Sequence, residues 1–149
     1  TAWEEPEEVK ECFRRLTTQK NIKDYEILAT APDDPTKDEI LKYVEKYPEN
    51  IKFTLQSRDK GKNEMLNILI KKAKGSILIF LDGDIYVNDI AISEISNTYK
   101  DPKIGAVTGR IAPQNTKSRL FGYWAHALTN GAHKIRKERS LRYICLMKI

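Results

Sequence analysis

Two carboxylates stand one residue apart at Asp82-Gly83-Asp84, directly after the apolar run Ser76-Ile77-Leu78-Ile79-Phe80-Leu81. A continuous apolar strand is what a parallel sheet covered on both faces requires. In such sheets ligands sit beyond the carboxyl ends of the strands, so both acids are expected to face the ligand crevice. A hard divalent cation such as Mg²⁺ or Mn²⁺ takes carboxylate oxygens together with substrate phosphate oxygens. Gly83 between them lets the backbone turn or approach a neighbour closely. An Asp-Gly pair by itself marks an ordinary solvated turn; the strand before it makes it a candidate for chemistry.

The elements that must position this motif alternate along the chain. Glu5 to Leu16 carries Val9, Phe13 and Leu16 at helical spacing, with Pro6 in the first turn and Arg14 and Arg15 at the end. Tyr25 to Thr30 reads as a strand, and Asp33-Asp34-Pro35 as a turn. Thr36 and Glu39 form a capping-box pattern, predicting a helix to about Tyr47 that Pro48 ends. Ile51 to Gln56 reads as a second strand and Arg58 to Lys62 as a basic loop. A helix then buries Met65, Leu66, Leu69 and Ile70, with Gly75 as its expected C-cap. Asn88 to Tyr99 reads as helix, Ile104 to Thr108 as strand, and Ser118 to about Lys137 as a long helix. That last helix is apolar through Phe121, Trp124, Ala125 and Leu128, and Gly131 is a place where it could break. Tyr143 to Met147 would close the pattern as a strand. Alternating βα units predict an α/β fold with a mostly parallel sheet.

Composition sets the outer bounds. The chain has 149 residues, 40% hydrophobic and 32% charged, which suits a single globular domain, 1–149, and not a disordered chain. Two cysteines, Cys12 and Cys145, are too few for a disulfide framework and read as small core residues. No apolar run approaches the ~20 residues of a membrane span. The N-terminus lacks the basic and apolar regions of a signal peptide, so the expected location is the cytoplasm, at or near its membrane face. The net charge of +5 is mostly interspersed with acids, and nucleic acid is not expected as a partner. Lys134, Arg136, Lys137, Arg139 and Arg142 cluster beside His133. They read as the solvated cationic end of a helix or as a patch for phosphates or an anionic membrane.

Several segments, in order, resemble the inverting family 2 glycosyltransferases. Thr1-Ala2-Trp3-Glu4-Glu5 is similar to the end of that family's Pro-Ala-Tyr-Asn-Glu opening. Gly61-Lys62-Asn63-Glu64-Met65-Leu66-Asn67 is similar to its Gly-Lys-x-x-Ala-Leu-Asn helix start. Ala73-Lys74-Gly75-Ser76-Ile77 resembles its lead into the central strand, Asp82-Gly83-Asp84 its Asp-x-Asp motif, and Gly105-Ala106-Val107-Thr108-Gly109-Arg110 its acceptor-side strand. The resemblance implies a Rossmann-like GT-A three-layer sandwich and transfer, with inversion, of a sugar from a UDP- or GDP-sugar to a glycan or lipid-linked acceptor. It implies Mn²⁺ or Mg²⁺ at Asp84. Donor contacts would fall at Ala2, Glu4, Lys62 and Asp82, with Asp33 standing in for a base-reading acid. Gly109 and Arg110 would line the sugar or acceptor side.

The chain departs from the family pattern in three places. No apolar strand precedes Thr1, the Asp expected within Ala29 to Asp34 is displaced to Asp33, and no acidic motif for a general base follows Arg110. Glu138, His126 and His133 have no matching context, so the catalytic base stays unassigned and the domain is expected to be incomplete at both ends. A missing strand would leave a sheet edge able to pair with another chain, giving a homo-oligomer. Competing readings are a degenerate nucleotide-binding module and a haloacid-dehalogenase-like phosphatase using Asp82 as nucleophile and Asp84 as acid/base. A nucleotidyltransferase would need a Gly-rich loop after an N-terminal strand.

Overall fold

The computed structural model describes residues 1–57, 61–110, 112–114, 117–118 and 120–138. Its elements are α1 (Pro6–Thr17), β1 (Ile27–Ala29), α2 (Asp34–Lys46), β2 (Ile51–Phe53), α3 (Lys62–Lys72), α4 (Ala91–Thr98) and α5 (Leu120–Glu138). Strands β1 and β2 pair in parallel, with Ile27 opposite Ile51 and Ala29 opposite Phe53. The expected strand at Tyr143 to Met147 lies outside the described residues, as do Arg139, Arg142 and Cys145.

Helix α1 forms where its spacing predicts. Pro6 occupies its first turn, Glu7 and Glu8 favour the positive end of its dipole, and Val9, Cys12 and Phe13 are buried. Val9 and Phe13 meet Ala29, Ala31, Ile40 and Ile51 in the core, with the Phe13 and Tyr43 rings 5.3 Å apart. Burial pushes the Cys12 thiol up to about 11, so it behaves as an apolar core group and not as a nucleophile.

Three expectations need correction. Helix α2 starts two residues before Thr36: Asp33 is its N-cap, and its carboxylate accepts from the Thr36 N–H. Pro35 in the first turn fits that earlier start, because proline gives up no helical hydrogen bond there. Helix α3 ends at a C-cap on Ala73, in extended conformation, before Gly75 is reached. Gly131 does not break α5, which runs through it. Along α5, Phe121, Trp124 and Leu128 are exposed, while Gly122 is buried. The helix therefore turns its small-residue side inward and its aromatic side out.

The run Ile77 to Leu81 has a single bridge, at Ile77, and forms no regular ladder; Ile104 to Thr108 is likewise irregular. The reason lies in its neighbours. Thr1 donates from its amino group to Leu81 O (3.1 Å) and accepts from Gly83 N–H (3.0 Å), while Ala2 N–H donates to Thr30 O (3.2 Å). Thr1 and Ala2 thus lie between the carboxyl end of β1 and the carboxyl end of Ile77–Leu81, bonded to both.

Candidate functional site

The Asp82–Asp84 turn is built by contacts at both ends of α1. Gly83 lies against its N-terminal end. A Cβ at Gly83 would come within 2.6 Å of Ala2 Cβ, 2.8 Å of Glu5 Oε2 and 3.1 Å of Val9 Cγ2. The glycine is therefore required by a close approach. The C-terminal end of α1 holds the following segment. Arg15 lies over the Tyr86 ring at 5.5 Å, Gln19 bonds Asn88 O and the Ile92 N–H, and Lys20 pairs with Asp89.

Asp82 and Asp84 both point to solvent. Asp82 Oδ1 accepts from Lys62 Nζ in an ion pair that leaves both side chains more than half exposed. Lys62 opens α3 after the N-cap Gly61, so a lysine and a helix N-terminus share this position. Exposed pairs of this kind contribute little to stability, about 0–1 kcal/mol. The pair is therefore open to exchange for an anionic ligand.

Glu5 joins the two aspartates. Its carboxyl is held above the ordinary 4.5, chiefly by desolvation and then by the charges of Asp84, Glu8 and Asp82. Nothing in the sequence marks Glu5, because an acid at a helix start is accounted for by the dipole. Gly83 and Glu5 meet only in the folded chain, and no sequence spacing joins them.

The loop before α1 is pinned by the start of α2. Asp33 is buried; its Oδ1 accepts from the Glu4 N–H (2.9 Å), its Oδ2 from the Thr36 N–H (3.0 Å), and Thr36 Oγ1 accepts from the Glu5 N–H (3.0 Å). Both oxygens of Asp33, expected to read a base, are thus engaged in holding backbone. Glu4 is exposed with φ 55°, a left-handed conformation that costs a non-glycine residue roughly 1–2 kcal/mol. The hydrogen bond from its N–H to Asp33 helps hold it there. Ala2 is buried against Gly83. Thr30 Oγ1, at the end of β1, is the one buried side-chain oxygen among the described residues without a partner.

Burial raises the Asp33 carboxyl, but hydrogen bonds from Thr36 and from the Glu4 backbone outweigh it and hold the group below 3.8. Its stabilisation is therefore complete above the unfolded value near 3.8 and is lost as pH falls through the lower folded value. Asp33→Ala removes a helix cap worth about 1–2 kcal/mol and strands the Glu4 N–H as well. The expected result is a drop in Tm of roughly 5–10 °C at pH 7 that shrinks below about pH 3.8, read by thermal melts across pH.

The structure thus brings Ala2, Glu4, Asp33, Lys62, Asp82 and Asp84 around one turn. Gly109 and Arg110 are exposed; Arg110 donates to Asn130 Oδ1 of α5 (3.0 Å), and among the described residues no contact joins it to the aspartates. His126 and Glu138 fall on α5.

Hard carboxylate oxygens suit Mg²⁺ or Mn²⁺, which bind through one or two carboxylates plus phosphate and water. Among the described residues no three acidic, histidine or cysteine side chains form a ready-made cage. Asp84, exposed and crowded by Glu5, fits such a cation as a partial ligand set that a bound diphosphate would complete. No described helix is long and apolar enough to cross a membrane.

Exposed acids and a lysine thus gather beyond the carboxyl end of Ile77–Leu81, where α/β proteins place their ligands. The model of the Glycosyl transferase family 2 matches residues 1–145, and the chain belongs to that family. Its fold is GT-A, an α/β fold with parallel strand pairing. The chain is 31% identical over 93 residues to the poly(ribitol-phosphate) β-N-acetylglucosaminyltransferase TarS of Staphylococcus aureus, strains Mu50 and MW2. That match covers 56% of this chain and 16% of TarS. Among solved structures it is similar to the mannosyltransferase PcManGT from Pyrobaculum calidifontis in complex with GDP-Man and Mn²⁺. The TM-score is 0.67 at 20% identity, covering 76% of this chain and 35% of that one. It is also similar to S. aureus TarS 1–349 in complex with UDP, with TM-score 0.57 at 23% identity, covering 79% of this chain and 38% of that one. Family membership sets aside the phosphatase reading of Asp82 and Asp84.

Proposed function

We propose that this chain forms the donor-binding part of a metal-dependent glycosyltransferase. It would use a UDP- or GDP-sugar and transfer the sugar with inversion to a glycan or lipid-linked acceptor. The observation that supports this best is the turn itself: Asp84 free to solvent, Asp82 in an exchangeable pair with Lys62, and Ala2 and Glu4 on the loop beside them. The mannosyltransferase with GDP-Man and Mn²⁺ and TarS with UDP lend support for this class of donor and metal.

In this reading Asp84 would hold Mn²⁺ or Mg²⁺, and the cation would supply charge neutralisation for the diphosphate leaving group. Asp82 meets the nucleoside, and Lys62, released from Asp82, moves toward the anionic donor. Ala2 and Glu4 border the nucleotide; Gly109 and Arg110 lie toward the sugar and acceptor. The acceptor hydroxyl attacks the anomeric carbon opposite the diphosphate and gives its proton to a base that the described residues do not identify.

The donor reading is tested by thermal shift of the 149-residue chain against UDP- and GDP-sugars, each with Mn²⁺ or with EDTA. A ligand at about 100 times its Kd adds about 2.7 kcal/mol, which raises Tm by several degrees in a chain of this size. One nucleotide class is expected to give that rise with Mn²⁺ alone, and Lys62→Ala to reduce it. No shift with any donor would remove the reading.

A further inference from the structure

Helix α5 turns a continuous apolar face to solvent. Of the nine large apolar side chains exposed among the described residues, five fall on this helix between positions 120 and 128: Leu120, Phe121, Tyr123, Trp124 and Leu128. At about 100° per residue, Leu120, Trp124, Leu128 and Phe121 share one stripe roughly 100° wide. The opposite side is built of small groups. Gly122 is buried, Ala125 and Thr129 are half-buried, and the Thr129 hydroxyl donates to Ala125 O (2.8 Å). On the flank, Arg110 donates to Asn130 Oδ1 (3.0 Å) and ties the helix to the segment that ends at Arg110.

Charge says what would cover the stripe. Residues 1–101 hold 16 Lys and Arg against 20 Asp and Glu, whereas residues 102–149 hold 10 against 1. The net charges are −4 and +9, so the positive excess of the chain lies in the part that carries α5. Lys117 stands three residues before the helix and Lys134 falls beside the edge of the stripe; both are exposed. An occupant has to cover apolar surface and neutralise cations together. A polyanion such as a nucleic acid would meet the cations but leave Leu120, Phe121 and Leu128 in water. A second copy of the chain would bury the stripe but bring two regions of like charge together. An anionic bilayer surface does both. Aromatic and leucine side chains enter the boundary between headgroups and acyl chains, and Lys and Arg stay among the headgroups.

We propose that α5 is an in-plane docking helix for a membrane surface rich in anionic phospholipid. Its 19 residues make a rod about 28 Å long that lies along the surface. No described helix is long and apolar enough to cross the bilayer, and the charged end of α5 suits a helix that rests on it. Tyr123 and Trp124 favour this boundary because each joins an apolar ring to a polar tip. The inference stands apart from the donor reading, and its test measures no nucleotide.

The test uses the 149-residue chain carrying Trp3→Phe, which leaves Trp124 as the one tryptophan. It is titrated with vesicles of phosphatidylcholine alone and of about two parts phosphatidylcholine to one part phosphatidylglycerol. Binding is read by co-sedimentation, and depth by quenching of Trp124 with brominated acyl chains. The anionic vesicles are expected to bind at least about tenfold more tightly than the neutral ones, with a blue-shifted and quenched Trp124. Raising the salt to about 0.5 M should weaken the binding. Phe121→Gln with Leu128→Gln keeps good helix formers and every charge, and should cost at least about tenfold in vesicle affinity at unchanged Tm. Equal binding to both kinds of vesicle, or none to either, would overturn the proposal. So would full affinity in the double variant, which would mean that cations adsorb without the stripe. A lower Tm in that variant would show the face already covered within the chain, and a dimer that it splits would assign the face to a second copy. Heparin binding that the double variant weakens as much as vesicle binding would assign the face to a polyanion.

Discussion

Gly83→Ala is expected to lower Tm by roughly 5–12 °C, from an overpacking cost of about 2–3 kcal/mol. The new methyl would sit 2.6 Å from Ala2 Cβ and 3.1 Å from Val9 Cγ2. Glu5 can swing its carboxylate aside, but Ala2 has no side-chain freedom and Val9 is fully buried in α1. The strain is relieved only by moving Thr1 and Ala2, which breaks the Gly83 N–H bond to Thr1 O. The same shift disturbs the Thr1–Ala2 segment bonded beside Asp82, so any donor binding should fall with stability. Gly105→Ala is the control: a Cβ there meets nothing within 4 Å, and its Tm should hold or rise slightly. Equal melting of the two variants would show that the close approach does not hold this turn.

Asp84→Asn should do the opposite, sparing the fold and removing the metal-dependent part of ligand binding. The side chain is exposed, and its charge helps hold the Glu5 carboxyl above 4.5. A carboxyl raised on folding costs stability once it ionises, so removing Asp84's charge should leave Tm unchanged or slightly higher at pH 7. Residues that only support a metal ligand cost roughly 10–100-fold in metal affinity when removed, so loss of the ligand itself should cost at least that. Calorimetric titration of nucleoside diphosphate with Mn²⁺ reads this directly. Unchanged affinity in Asp84→Asn would place the cation elsewhere.

The parts of the fold legible in the sequence were those governed by neighbours a few residues away. Val9, Phe13 and the acids before them specify α1 because helical spacing and the dipole are local. The start of α2 was harder to place. Thr36 and Glu39 imitate a capping box, whereas the cap used is Asp33, chosen because its carboxylate also reaches the Glu4 N–H, 29 residues away in sequence. That long-range bond is invisible to spacing. The same holds for Ile77 to Leu81: the apolar run is plain, but a ladder depends on what lies beside it. The apolar stripe of α5 is legible too, but its exposure is not, because periodicity reports amphipathicity and not which face finds a partner.

The candidate site divides in the same way. Asp82, Asp84 and Lys62 were legible from motif and position, and the ion pair between Lys62 and Asp82 joins two of them. Glu5 was missed because its dipole role seemed to account for it, and its approach to Gly83 exists only in the folded chain. Glu4's left-handed backbone likewise has no sequence signal, since glutamate carries no preference for it.

The most direct test of the central claim is a titration of the 149-residue chain with UDP- and GDP-sugars, in Mn²⁺ and again in EDTA, by calorimetry. The account predicts saturable one-to-one binding of one nucleotide class in Mn²⁺, weakened at least about tenfold in EDTA. Binding of equal strength in both buffers, or none in either, would contradict it.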